Sequence, residues 1–252
     1  MSPTPADLAA RRRAFRQLHE AGCFVIPNPW DAGSARLLES LGFRALASTS
    51  SGAAWSRGRA DGAMARDAVL AHLRELVAAT ALPLNADFES GFAADAEGVA
   101  QSVRLAIDTG IAGISIEDST GDPAHPLREL DDAVARLRAA RAAVDASGAD
   151  VMLVGRAENF IAGRPDLADT LVRLRAYAQA GADCLYAPGV RTRDEIAAVV
   201  AAVAPKPVNL LVGAPGELTL AEIAALGVRR VSVGGALARA AWGGFVRAAR
   251  GI

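Results

Sequence analysis

The sequence predicts an α/β protein, a closed (β/α)8 barrel of the TIM-barrel type with an extra N-terminal helix. Three observations predict it. Eight short runs rich in β-branched residues alternate with eight longer Ala/Leu/Arg stretches of helical spacing. The 252 residues divide into eight units of about 31, the size of one βα step. Several helical stretches end on glycine just before the next strand, at Leu41-Gly42, Thr109-Gly110, Ala180-Gly181 and Leu226-Gly227. A glycine there permits the left-handed turn that closes a helix. Alternating elements imply a parallel sheet, and eight of them a closed barrel. A doubly wound sheet would carry G-x-G-x-x-G after its first strand. Asn28-Pro29-Trp30-Asp31 stands there instead.

The elements follow in order. A helix over Pro5–Ala21 precedes the first strand. Strand Phe24–Pro27 leads to helix Ala32–Leu41, and strand Ala45–Thr49 to helix Arg66–Thr80 across a long polar segment. Strand Leu84–Phe88 precedes helix Asp95–Thr109, and strand Gly113–Glu117 precedes helix Glu129–Ser147. Strand Val151–Gly155 is followed by helix Asp166–Ala180, and strand Cys184–Ala187 by helix Arg193–Ala202. Strand Val208–Val212 with helix Leu220–Leu226, then strand Arg230–Gly234 with helix Leu237–Ala249, complete the set. Residues 1–252 are expected to form one barrel domain without a linker.

Composition narrows the chemistry. The 27 basic and 28 acidic residues give a net charge of -1, which argues against a nucleic-acid surface. No apolar run reaches membrane-helix length, and Met1–Phe15 has no signal-peptide core. A cytoplasmic protein without a membrane or nucleic-acid partner is the expectation. The two cysteines, Cys23 and Cys184, read as small buried hydrophobes. Lys206 is the one lysine, placed between prolines on the side away from a barrel's active end, which argues against Schiff-base chemistry. Of the three histidines, His19 and His72 fall in helical stretches and read as structural. His125 lies in the loop after the fourth strand.

Barrel chemistry sits at the C-terminal ends of the strands. Those ends carry Asp87, Glu89, Glu117, Asp118, Arg156 and Glu158. Clustered carboxylates with few histidines suit Mg2+, or Mn2+, better than zinc. Arg156 continues the fifth strand and offers a fork for a carboxylate or phosphate. The Ser48–Gly52 run of hydroxyls and N–H groups suits an oxyanion. Gly234-Gly235 before the last helix offers a weaker phosphate-site reading.

These residues resemble the phosphoenolpyruvate mutase/isocitrate lyase superfamily from about Phe15 to Ala249. The motifs are Asn28-Pro29-Trp30-Asp31-Ala32-Gly33-Ser34-Ala35-Arg36, Ser48-Thr49-Ser50, Asp61, Asn85-Ala86-Asp87, Ile116-Glu117-Asp118 and Gly155-Arg156-Ala157-Glu158. The resemblance implies a Mg2+-dependent enzyme that makes or breaks bonds at C3 of a pyruvate unit. It implies Asp87 as metal ligand, with Glu117, Asp61 and Asn85 on metal-bound waters. Ser48, Thr49 and Ser50 would bind oxyanion and carboxylate, and Arg156 the carboxylate or leaving group; Asn209, on the seventh strand, is a further substrate-binding candidate.

Two departures stand out. Asn85 replaces the first acid of the D-x-D motif. The loop Ser119–Pro126 lacks the lyases' K-[KR]-C-G-H, which argues against isocitrate or methylisocitrate cleavage. The expected function is a carbon–carbon lyase, decarboxylase or hydrolase of small 2-oxo or 2-hydroxy carboxylates, with Arg156, Asp61 and His125 as catalytic candidates. A non-catalytic metabolite-binding barrel and a P–C bond enzyme are the alternatives. The family's eighth helix is often exchanged within a homo-oligomer. This chain ends at Ile252, directly after that helix, which leaves the exchange open.

Overall fold

The computed structural model describes residues 3–216 and 218–252. Its strands are β1 (Phe24–Ile26), β2 (Leu46–Ala47), β3 (Leu84–Asp87), β4 (Gly113–Glu117), β5 (Met152–Arg156), β6 (Cys184–Tyr186), β7 (Val208–Leu211) and β8 (Arg230–Ser232). They pair in parallel in the order β1-β8-β7-β6-β5-β4-β3-β2. The two ends of that sheet meet through the Ala47 N–H, which donates to Pro27 O at 3.0 Å. The expected (β/α)8 barrel is therefore the observed one.

The helices are α1 (Pro5–Gln17), α2 (Ala32–Ser40), α3 (Ser50–Ser56), α4 (Arg66–Ala79), α5 (Ala96–Ile107), α6 (Leu130–Ser147), α7 (Leu167–Gln179), α8 (Arg193–Val203), α9 (Leu220–Ala225) and α10 (Ala236–Arg250). The structure differs from the sequence reading in three respects. Six of the eight strands end one or two residues earlier than expected, at Ile26, Ala47, Asp87, Tyr186, Leu211 and Ser232. Helix α1 stops at Gln17, and His19 lies in the following turn with its ring Nδ1 2.8 Å from Phe15 O. Helix α3 stands where a polar loop was expected. Thr49 caps it, with its hydroxyl accepting the Gly52 N–H at 3.3 Å.

Strand alternation divides the core in two. Outward residues, among them Leu84, Ala86, Ile114, Ile116, Leu153, Leu185 and Val231, pack against the helices. Inward residues form smaller clusters: Phe24, Ile26, Ala47 and Met152 with Phe15 of α1, and Val154, Cys184 and Tyr186 with Leu211. Phe15 closes the N-terminal end of the barrel. A Cβ at Gly113 would stand 2.7 Å from its ring and 2.6 Å from Asn85 Oδ1, so only glycine fits. Glycines 42, 110, 181 and 227 take the positive φ expected of helix-terminating positions. No helix among the described residues is long and apolar enough to cross a membrane.

Candidate active site

A cavity of about 270 Å³ opens at the C-terminal ends of the strands. Its wall includes Ser48, Ser50, Asp87, Arg156 and Tyr186, and Arg230 and Asn209 stand deeper in it. Asp87, Arg156, Tyr186, Asn209 and Arg230 lie on strands, and Ser48 and Ser50 lie between β2 and the first turn of α3. The pleat that buries Ala86, Ile116 and Leu185 outward thus turns Asp87, Glu117 and Tyr186 inward.

Arg156, the last residue of β5, organises the acids. Its Nη1 lies 3.3 Å from Asp87 Oδ1 and 3.2 Å from Glu117 Oε2, and its Nε donates to Glu158 Oε1. Its guanidinium stands 5.1 Å from the Tyr186 ring centroid. Burial opposes the Arg156 charge, and the facing Glu158, Glu117 and Asp87 carboxylates outweigh it, so the cation is held firmly. Burial pushes Glu117 well above the usual carboxylate range, further than Arg156 draws it down. Glu158 is raised for the same reason. Glu89 rises to about 7 through burial and the charges of Asp87 and Asp61. Burial likewise lifts the Tyr186 phenol to about 12.

The Ser48–Ser50 segment lies against this cluster. The Asp87 N–H donates to Ser48 Oγ at 2.8 Å, and the Ser50 N–H to Asp87 Oδ2 at 2.9 Å. Asn28 holds the segment in place. Its Nδ2 donates to Ser48 O at 3.0 Å, while its Oδ1 accepts the N–H groups of Val233 and Gly234 at 3.0 and 2.9 Å. One amide thereby ties the end of β1 to the ends of β2 and β8, across the seam where the sheet closes.

Below them, Arg230 Nε donates to Asn209 Oδ1 at 2.8 Å, and its Nη1 reaches Asn85 Oδ1 at 3.3 Å and His19 Nε2 at 3.5 Å. Burial and the Arg230 charge depress His19 to about 3, so it is neutral. Its Nδ1 then carries the proton and donates to Phe15 O, leaving Nε2 as an acceptor for Arg230.

The predicted site residues fall into three groups. Ser48, Thr49, Ser50, Asp87 and Arg156 line one region of the cavity, with Glu117 against Arg156. Asn85 and Asn209 belong to the floor. The Asn85 amide is taken up by Arg230 and Ala86 O, and that of Asn209 by Arg230 and Ser232. Asp61 is exposed at the rim. His125 is exposed on its loop, with Nδ1 3.4 Å from Asp122 Oδ2, and is absent from the cavity wall.

Asp118 turns outward, where it accepts from Arg173 Nη1 at 3.1 Å, Tyr177 Oη at 2.5 Å and the Glu158 N–H at 2.8 Å. It positions Glu158 rather than facing the cavity. Sequence reasoning gave no individual site role to Asn28, Tyr186 or Arg230. Period-two alternation, which pairs Arg230 with Ser232 on the inner face, was the available signal for Arg230.

The acids suit a hard divalent cation. Asp87, Glu117 and Glu158 contact one guanidinium with Glu89 nearby, and Glu89, Glu117 and Glu158 are raised by burial and by neighbouring acids. Among the described residues no three His, Cys, Asp or Glu side chains are gathered to enclose an ion unaided. A cation such as Mg2+, which keeps several waters and takes one or two carboxylates, would have to be held by Asp87 and Glu117.

Known proteins resemble this chain over most of its length. The phosphoenolpyruvate phosphomutase family model matches residues 15–252. A lyase/mutase-type protein of Burkholderia cenocepacia J2315 superposes with a TM-score of 0.94 at 53% identity, covering 97% of this chain and 88% of its own. The oxaloacetate decarboxylase of Paraburkholderia xenovorans LB400 is 32% identical over 236 residues, 88% of this chain and 74% of that protein. An oxaloacetate acetylhydrolase solved with its product oxalate is 28% identical, with a TM-score of 0.86 over 95% of this chain and 85% of its own.

Proposed function

We propose, from the premise that this chain belongs to the phosphoenolpyruvate phosphomutase family, that it is a metal-dependent lyase of small 2-oxo or 2-hydroxy carboxylates. Loss of carbon dioxide from a 2-oxo dicarboxylate such as oxaloacetate is the reaction the site favours. One observation carries the reading: a single Arg156 fork shared by Asp87, Glu117 and Glu158, beside the Ser50 N–H.

Mg2+, or Mn2+ in its place, would be held at Asp87 with Glu117 nearby, and would supply positive charge for the electron pair left by the broken bond. Arg156 binds the substrate carboxylate through its fork. The Ser48–Ser50 segment, fixed by Asn28 and capped into α3, presents hydroxyl and N–H donors to the developing oxyanion. Tyr186 stays protonated at neutral pH and keeps a proton beside Arg156.

The described residues of the cavity wall include no histidine, cysteine or lysine. Decarboxylation needs no base for a hydroxyl proton, whereas cleavage of a 2-hydroxy acid would have to use a carboxylate such as Glu89, raised to about 7. In decarboxylation the bond from C3 to the carboxylate carbon breaks, the pair stays at C3, and carbon dioxide leaves. C3 then takes one proton, from Tyr186 or solvent.

The test is pyruvate release from a panel of 2-oxo and 2-hydroxy acids, with and without Mg2+ or Mn2+. Metal-dependent release that collapses in Asp87→Ala supports the reading. No release on any acid, together with no stabilisation by oxalate plus Mg2+, overturns it. Stabilisation without turnover would instead mark a metabolite-binding barrel. A homo-oligomer belongs to the same proposal: Trp242, Phe245 and Val246 leave an apolar stretch exposed on α10, and light scattering reads the assembly directly.

A further inference from the structure

The cavity floor holds a buried cation with no counter-charge in contact. The other buried arginines each have carboxylate partners. Arg136 has Asp132, Arg173 has Asp118 and Asp169, and Arg156 has three acids. Arg230 is 3% exposed, and among the described residues it has no carboxylate within 4.0 Å. Its partners are the neutral Asn209, Asn85 and His19. Its Nη2 has no hydrogen-bond partner among the described residues, and the side chain lines the cavity.

A guanidinium keeps its proton in proteins. A charge taken out of water without an opposite charge is strongly unfavourable, and neutral acceptors offset this only in part. Asn85 decides the balance. A carboxylate at that position would neutralise Arg230 from within, and its amide leaves the charge free.

We propose that Arg230 is an anion-binding residue, and that the floor of the cavity takes a small monovalent anion against its guanidinium. A free halide and the carboxylate group of an organic acid share this chemistry. The inference does not rest on the reaction proposed above. Arg230 and Asn85 pair with Asn209 and Gly113 along their strands, whereas Asp87 and Arg156 stand further toward the C-terminal ends. The floor therefore lies below the oxo-acid site.

The test is thermal unfolding of the whole chain at constant ionic strength, exchanging the bulky sulfonate isethionate for chloride, bromide or formate. The expected result is a rise in Tm that grows with the logarithm of anion concentration, about 3–6 °C for each tenfold step above the dissociation constant. Arg230→Met is expected to lose that rise. Asn85→Asp, which keeps the fold if Arg230→Met does not, is expected to be insensitive to the anion because it supplies the charge itself. A bromide-soaked crystal should show an anomalous peak beside Arg230. Oxalate without metal separates the sources: competition with bromide makes the occupant a substrate carboxylate, and additive stabilisation makes it a free anion. A flat wild-type response without a bromide peak, or an Asn85→Asp protein that responds like wild type, overturns the proposal.

Discussion

Replacing Asp118 with asparagine tests the account of how the acid cluster is supported. Asp118 is 2% exposed. Its carboxylate accepts from the Arg173 guanidinium, the Tyr177 hydroxyl and the Glu158 N–H. The asparagine keeps the shape, loses the charge, and turns a donor toward two other donors. Removing one partner of a buried ion pair costs about 3–5 kcal/mol. Arg173 retains Asp169 at 2.7 Å, which places the loss at the lower end, about 3 kcal/mol. For a chain of this size that corresponds to a fall in Tm of about 6–12 °C. Differential scanning calorimetry at pH 7 measures it. Asp169→Asn is the control: its side chain is 40% exposed, and a loss below about 1 kcal/mol is expected. A fall under about 2 °C for Asp118→Asn, or an equal fall for both variants, would refute the reasoning.

Three other outcomes follow from the same geometry. His72 is buried with both ring nitrogens unpartnered, and burial and the Arg57 charge lower it to about 4. Its folded value lies below the unfolded 6.5, so its contribution to stability is complete above pH 6.5 and lost as pH falls toward 4. His72→Leu should gain about 1–2 kcal/mol at pH 7 and flatten the acid limb, read from urea midpoints at pH 7.5 and 5. Asn28→Ala removes three hydrogen bonds, one to the end of β2 and two to the end of β8, and should cost about 3 kcal/mol and weaken oxalate binding measured by calorimetry. Arg156→Lys keeps the charge but cannot span three acids, and a fall of about a hundredfold in kcat/KM is expected.

The barrel was legible because every βα unit repeats the same local pattern, so an error in one leaves the count intact. Helix α3 was not, because Ser48–Ser51 reads as a polar loop until Thr49 is taken as a helix cap. Asp118 looked like part of the acidic rim. Strand alternation sends Glu117 inward and Asp118 outward, a distinction that the adjacent Glu-Asp pair conceals. Arg230 was invisible as a site residue because an arginine at the start of a strand ordinarily reaches solvent. Only the closed barrel, with Phe15 and His19 beneath, shows that this one is enclosed. Arg156 and Asp87 were legible from position alone, since both end strands on the face where barrels do chemistry.

The central claim is that Arg156, Asp87 and the Ser48–Ser50 segment form a metal-dependent site for cleaving a 2-oxo dicarboxylate. The most direct measurement is the rate of pyruvate formation from oxaloacetate with Mg2+, taken against a metal-only control because the ion alone promotes the reaction. The account predicts a protein-dependent rate far above that control, lost on chelation and in Asp87→Ala. A rate equal to the metal-only control, or one unchanged by chelation, would contradict it.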